Sequence, residues 1–302
     1  MNLSAMAAGW WLLASCGLLV ATGRDLAGQR PLIHEWSALI EYDRASPFEV
    51  RDSLIGAEDA VEIRGLSYRS PRGGRVTAML VRPSTPGRHP ALLFGHWGSG
   101  NRTEFLAEAK LLARLGAVAL LIDYPWVRPA EWRREEGPLD QPEIDRDVRA
   151  QAIVDLRRAL DLLVTRTDVD SLRLGYVGHS YGAQWGASLA VAERRLRAVV
   201  LIAGVPDNRS LLLESDDPGL VAYRNRWTSE QLARYEPLIS LAASRRYADA
   251  GSEPKTVVWY DTGHELNDPQ ALFDRIAWLD RRLGLKPLGP EIARALARAQ
   301  AR

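Results

Sequence analysis

The pentapeptide Gly178-His179-Ser180-Tyr181-Gly182 has the G-x-S-x-G spacing of a serine held in a tight turn. It directly follows the β-forming run at residues 172–177 and precedes residues 183–192, a small-residue run that reads as a helix. The pentapeptide alone is a weak signal; its strand-turn-helix setting is what gives it meaning. Such a turn projects the Ser180 hydroxyl beyond the end of the strand. Side chains two positions to either side would collide, so Gly178 and Gly182 suit their places. The helix N-terminus behind the serine favours a developing negative charge. With a base beside it, this serine could attack an acyl carbon.

The base follows from a short list. The chain has five histidines: His34, His89, His96, His179 and His264. Partners of a serine in this kind of turn follow it in chain order, and only His264 does. It ends the segment Tyr260-Asp261-Thr262-Gly263-His264, just after residues 256–260 (TVVWY), which the pattern predicts as a strand. His179 is expected to point beneath the turn rather than at the hydroxyl, and His89 is expected to be exposed. His34 lies in the lead-in. His96-Trp97-Gly98-Ser99-Gly100 follows the apolar run at residues 90–95, where a glycine-rich loop can bring backbone N–H groups close to an oxyanion. The expected donors are the N–H of Tyr181 and that of Trp97 or Gly98.

These residues need a scaffold. Residues 60–69 and 75–82 flank the turn sequence at 70–74 and read as an antiparallel hairpin. Apolar runs at 90–95, 117–123, 172–177 and 196–203 read as buried strands. Helical spacing marks 104–115, 144–164, 183–192 and 268–283. Alternating buried strands and amphipathic helices predict an α/β fold, a mainly parallel sheet covered on both faces. Residues 24–58 read as a polar-amphipathic lead-in and 205–248 as mixed and mostly helical. The loop around Trp126 and Trp132, and the 205–248 segment with Trp227 and Tyr235, are candidate walls of an acyl pocket, although aromatics also simply pack.

Composition narrows the function classes. Of 302 residues, 39 are Lys or Arg and 38 are Asp or Glu, a net charge of +1 that leaves no basic footprint for nucleic acid. The single cysteine, Cys16, excludes an intrachain disulfide framework and any multi-cysteine metal site. No cofactor is expected. Residues 5–22 carry no charge, and residues 1–23 read as a signal peptide or membrane anchor, with a lipoprotein-like box ending at Cys16. The expected location is periplasmic or secreted, with membrane association through residues 5–22; a misplaced start codon would make the protein cytoplasmic. The expected division is 1–23 leader, 24–288 one domain and 289–302 a C-terminal helical tail.

Four segments together carry a resemblance: HWGSGNR at 96–102, LLIDYPW at 120–126, DVDSLRLGYVGHSYGA at 168–183 and YDTGHEL at 260–266. They resemble the α/β-hydrolase superfamily, in particular its dienelactone hydrolase-like and acyl-peptidase-like branch, over residues 60–285. The resemblance implies hydrolysis of an ester, amide or related acyl bond through an acyl-enzyme. The dienelactone hydrolase prototype uses cysteine where this chain has Ser180.

The family's acid sits on a loop after a further strand, and residues 237–254 (PLISLAASRRYADAGSEP) contain no such strand. One late strand is therefore expected to be missing. The strand beside the nucleophile strand is an alternative origin for the acid, which makes Asp207 the first candidate and Asp249 the second. Asp261 is too close in sequence to His264. The expectation is a serine hydrolase of small carboxylic esters using Ser180, His264 and Asp207. The alternatives are a vestigial hydrolase acting as a binding protein, and a small peptidase.

Overall fold

A computed structural model describes residues 37–135, 142–204, 216, 218–230, 254–258, 260–264 and 268–286. The strands are β1 (Arg51–Glu58), β2 (Val61–Arg69), β3 (Arg75–Pro83), β4 (His89–Gly95), β5 (Val118–Ile122), β6 (Val169–His179) and β7 (Leu196–Ile202). The helices are α1 (Leu106–Arg114), α2 (Pro142–Thr165), α3 (Tyr181–Ala192), α4 (Pro218–Arg224) and α5 (Pro269–Leu283).

One sheet runs in the order β1-β2-β3-β5-β4-β6-β7. The pairings β1–β2, β2–β3 and β3–β5 are antiparallel; β5–β4, β4–β6 and β6–β7 are parallel. The four parallel strands all deliver their carboxyl ends to one edge of the sheet. That edge receives the loops after Gly95, Ile122, His179 and Ile202. Open parallel sheets place their ligand crevices there.

Strand periodicity builds two cores. Val118, Leu120 and Ile122 of β5 face one apolar cluster, while Ala119 and Leu121 face the other. Residues of α2 and α3 close the first cluster, including Leu156, Leu160, Trp185 and Leu189. Residues of α1 and α5 close the second, including Leu112, Ile276 and Leu279. Helices therefore cover both faces, as the apolar strand runs require. The α5 helix shows its sequence signals plainly: Asp268 caps it by accepting from Gln270 N at 2.7 Å, and Gly284 ends it in the left-handed conformation at φ 63°.

The expected hairpin is β2–β3, closed by Ser70 N donating to Gly74 O at 3.1 Å. Three expectations need correction. The lead-in contains β1, a strand whose Leu54 and Ile55 are each 59% exposed. It pairs through its backbone and shows no apolar alternation to betray it. Residues 256–258 and 260 belong to no strand, and Val257 and Val258 are 56% and 46% exposed. Val257 and Val258 have the right local preference, but the described sheet ends at β7 and no described strand pairs with them. His89 is buried rather than exposed; its Nδ1 and Nε2 each lie 3.0 Å from a carbonyl oxygen, of Gly116 and Thr85.

The chain ahead of β1 is fastened to α2 by buried guanidiniums. Arg157 donates to Ile40 O at 2.5 Å, and Arg158 to Arg44 O at 2.9 Å and to Ser46 O. Tyr42 donates to Asp161 at 2.6 Å. Deeper in the fold, Arg128 and Asp155 form a fully buried ion pair at 2.6 Å, and Asp155 also accepts from Ser70 Oγ at 2.6 Å. Residues 1–36, 205–215, 231–253 and 287–302 lie outside the described residues, as do the expectations placed on them: the leader, Cys16, Asp207, Asp249, Tyr235 and the C-terminal tail. No described helix is long and apolar enough to cross a membrane.

Candidate active site

Ser180 stands at the N-cap of α3 with φ 54° and ψ −110°, a strained backbone for a residue with a side chain. Two backbone bonds hold it there. Ser180 N donates to Ile202 O at 2.8 Å, and Gln184 N donates back to Ser180 O at 3.1 Å. The flanking glycines are sterically required. A Cβ on Gly178 would lie 2.3 Å from Gly182 O, and one on Gly182 would lie 2.1 Å from Gly95 O. The turn is thus wedged between β4 and α3, and the Ser180 hydroxyl faces outward from the carboxyl edge.

His264 meets it there. Its Nε2 lies 3.0 Å from Ser180 Oγ, across 84 residues of chain. With Nε2 unprotonated, it can accept the hydroxyl proton. The loop bearing His264 is anchored behind by Tyr260, whose hydroxyl donates to Asp274 of α5 at 2.6 Å. Burial, and then the bond to Asp274, push the Tyr260 hydroxyl far above its ordinary pKa, so it stays a donor. Asp261 is exposed in the bend of this loop.

The loop after β4 is held from several sides. Gly182 N donates to His96 O at 3.1 Å, linking it to the start of α3. His96 is buried between two backbone groups: Tyr124 N donates to its Nε2 at 3.1 Å, so Nδ1 carries the proton toward Trp97 O at 2.5 Å. Burial depresses its pKa, consistent with a neutral structural imidazole. Trp126 donates its indole N–H to Gly98 O at 2.8 Å and stacks on Tyr124. Its ring also meets Tyr181 edge-on at 5.9 Å. Trp126 therefore buttresses the glycine loop from the loop after β5. Asp123 completes the brace by accepting from Arg102 N at 2.8 Å and Thr77 Oγ1 at 2.6 Å.

Of the expected oxyanion donors, Tyr181 N lies in the first turn of α3 and Gly98 packs against the Tyr181 ring. The Trp97 N–H is engaged elsewhere: it donates to Glu104 Oε2 at 2.7 Å. His179 is buried, and its ring is engaged with groups other than the Ser180 hydroxyl. Its Nδ1 lies 2.7 Å from Glu104 Oε1 and its Nε2 lies 2.7 Å from the backbone oxygen of His264. Sequence reasoning missed Glu104 altogether. Among the described residues no cluster of His, Cys, Asp or Glu has the geometry of a metal site.

No protein-family model matches the sequence. Among curated proteins, the chain is 28% identical over 121 residues to "Uncharacterized protein YcjY" of Escherichia coli (strain K12), covering 39% of this chain and 36% of that protein. Among solved structures, it resembles the acetyl xylan esterase from Paenibacillus sp. R4 with a TM-score of 0.66 and 21% identity, over 84% of this chain and 94% of that one. It also resembles acetyl xylan esterase 1 from Thermoanaerobacterium sp. JW/SL YS485, with a TM-score of 0.58 and 18% identity, over 71% and 72% of the two chains. The sheet order, the serine turn after β6 and these likenesses agree: the chain has the α/β-hydrolase fold.

Proposed function

We propose that this protein is a serine hydrolase that cleaves small carboxylic esters through an acyl-enzyme. The observation that carries this reading is the 3.0 Å approach of His264 Nε2 to the hydroxyl of the strained Ser180. Ser180 Oγ attacks the ester carbonyl as His264 takes its proton. The N–H groups of Tyr181 and Gly98 receive the developing oxyanion. His264 then protonates the departing alcohol, and water repeats the sequence to release the acid. Asp207 is the acid we assign to His264 from the sequence. The acetyl xylan esterases among the structural neighbours favour a short acyl group, acetyl first. The uncharged segment at residues 5–22 favours export or anchoring.

A fluorophosphonate probe should label the wild type and leave Ser180→Ala unlabelled. Turnover of p-nitrophenyl acetate should fall by about 10⁴-fold or more in Ser180→Ala or His264→Ala. Folded wild-type protein that takes no label overturns the reading. A second reading, a binding protein that retains the fold, draws on the described sheet ending at β7. Ester turnover abolished by His264→Ala decides against it.

A further inference from the structure

We propose that His179 and Glu104 form a positioning pair that holds the His264 loop against the Ser180 turn. The inference deepens the hydrolase reading and rests on it.

Both ring nitrogens of His179 face acceptors: a carboxylate oxygen of Glu104 and the backbone oxygen of His264, each at 2.7 Å. With Glu104 ionised, both bonds exist together only if both nitrogens carry protons, so the arrangement is that of an imidazolium paired with a carboxylate. A neutral ring has one N–H and would present a lone pair to the other acceptor. The second oxygen of Glu104 accepts from Trp97 N, and the Trp97 indole stacks on the His179 ring at 6.1 Å and 12°. One chain of contacts thus joins the glycine loop after β4, the serine turn after β6 and the histidine loop before α5. His179 occupies the position next to Ser180, so it fixes His264 relative to the hydroxyl that His264 must serve.

The charged surroundings agree. Burial works against the charged ring, but the bonds to Glu104 and to the His264 carbonyl outweigh it, and the pKa is raised. Arg275 of α5 opposes the charge, although it is itself paired with Glu108 at 2.7 Å. The His264 ring also faces His179, with centroids 5.2 Å apart. A general base works only within hydrogen-bond reach, and a displacement of about 1 Å can cost about a hundredfold.

The test compares wild type with His179→Gln, His179→Phe and Glu104→Gln, measuring kcat and KM for p-nitrophenyl acetate across pH. His179→Phe should lose about a hundredfold in kcat with KM changed by less than about twofold. His179→Gln keeps one donor arm and should recover part of that loss. Glu104→Gln should show the same kcat-selective loss. Wild-type kcat should decline on the alkaline side as His179 loses its proton, and that limb should vanish in His179→Gln. Wild-type kcat retained in His179→Phe, or an alkaline limb unchanged in His179→Gln, overturns the pair. Should His179→Phe not fold, the pH limb in the Gln variant and the Glu104→Gln rates decide. Failure of the hydrolase reading looks different, because wild type itself would then take no fluorophosphonate label.

Discussion

The hydroxyl of Tyr176 donates to the carbonyl oxygen of Gly182 at 2.6 Å, tying the strand that enters the serine turn to the helix that leaves it. The same hydroxyl lies 3.4 Å from that of Tyr124. Tyr176→Phe leaves a buried carbonyl oxygen without this donor, which should cost about 1–3 kcal/mol. A urea denaturation series would show the midpoint fall. A midpoint equal to wild type would mean the bond contributes nothing.

Ser180 holds φ 54° for the sake of its hydroxyl. Ser180→Gly should remove strain of roughly 1–3 kcal/mol and add back about 0.5–1 kcal/mol of unfolded-state entropy. The net expectation is an inactive protein more stable by about 1 kcal/mol. Ser180→Ala keeps the strained backbone and should not gain this. Thermal unfolding of the two variants side by side checks the difference; equal Tm values would refute it.

The Arg128–Asp155 pair is wholly buried. Arg128→Met strands a buried carboxylate and should destabilise by about 3–5 kcal/mol. Arg128→Met combined with Asp155→Leu should recover much of that loss, because no charge is then left unpaired. Guanidinium denaturation of the single and double variants measures the recovery, and strict additivity would contradict it.

His179 also couples stability to pH. Its pKa is raised in the folded state, against the competing effect of burial, by Glu104 and the His264 carbonyl. The folded protein therefore binds the proton more tightly than the unfolded chain does. That stabilisation is complete below the ordinary histidine pKa of about 6.5 and fades as pH rises through the folded-state value. Wild-type Tm should decline across this window relative to His179→Gln. Parallel Tm profiles for the two proteins would exclude the coupling.

The parts of the fold legible in the sequence are those whose burial is written in composition. β4 and β5 are buried on both faces, so they stand out as unbroken apolar runs. β1 is exposed on both faces, Leu54 and Ile55 included, and its membership of the sheet rests on backbone pairing that no pattern encodes. Residues 256–258 mislead for the opposite reason, since valines favour strands but find no partner among the described strands. At the site, Ser180 announces itself because its turn demands glycines locally. The Glu104–His179 contact spans 75 residues and involves types that are usually solvated, so no local spacing foretells it. The one available hint was a histidine beside the serine whose role chain order left unassigned.

The guanidiniums of Arg157 and Arg158 set the limit of a minimal folding unit. Beside the bond from Arg157 to Glu193 at 2.8 Å, they find backbone acceptors at Ile40, Arg44 and Ser46, all ahead of the first strand. A fragment begun at β1 would keep every strand of the described sheet, yet would leave two arginines on α2 buried without these carbonyls and would uncover the core beneath Ile40. Shortening the chain past Ile40 should therefore destabilise the domain. The stretch at 40–46, which belongs to no regular element beyond its first turn, is structurally as obligatory as a strand.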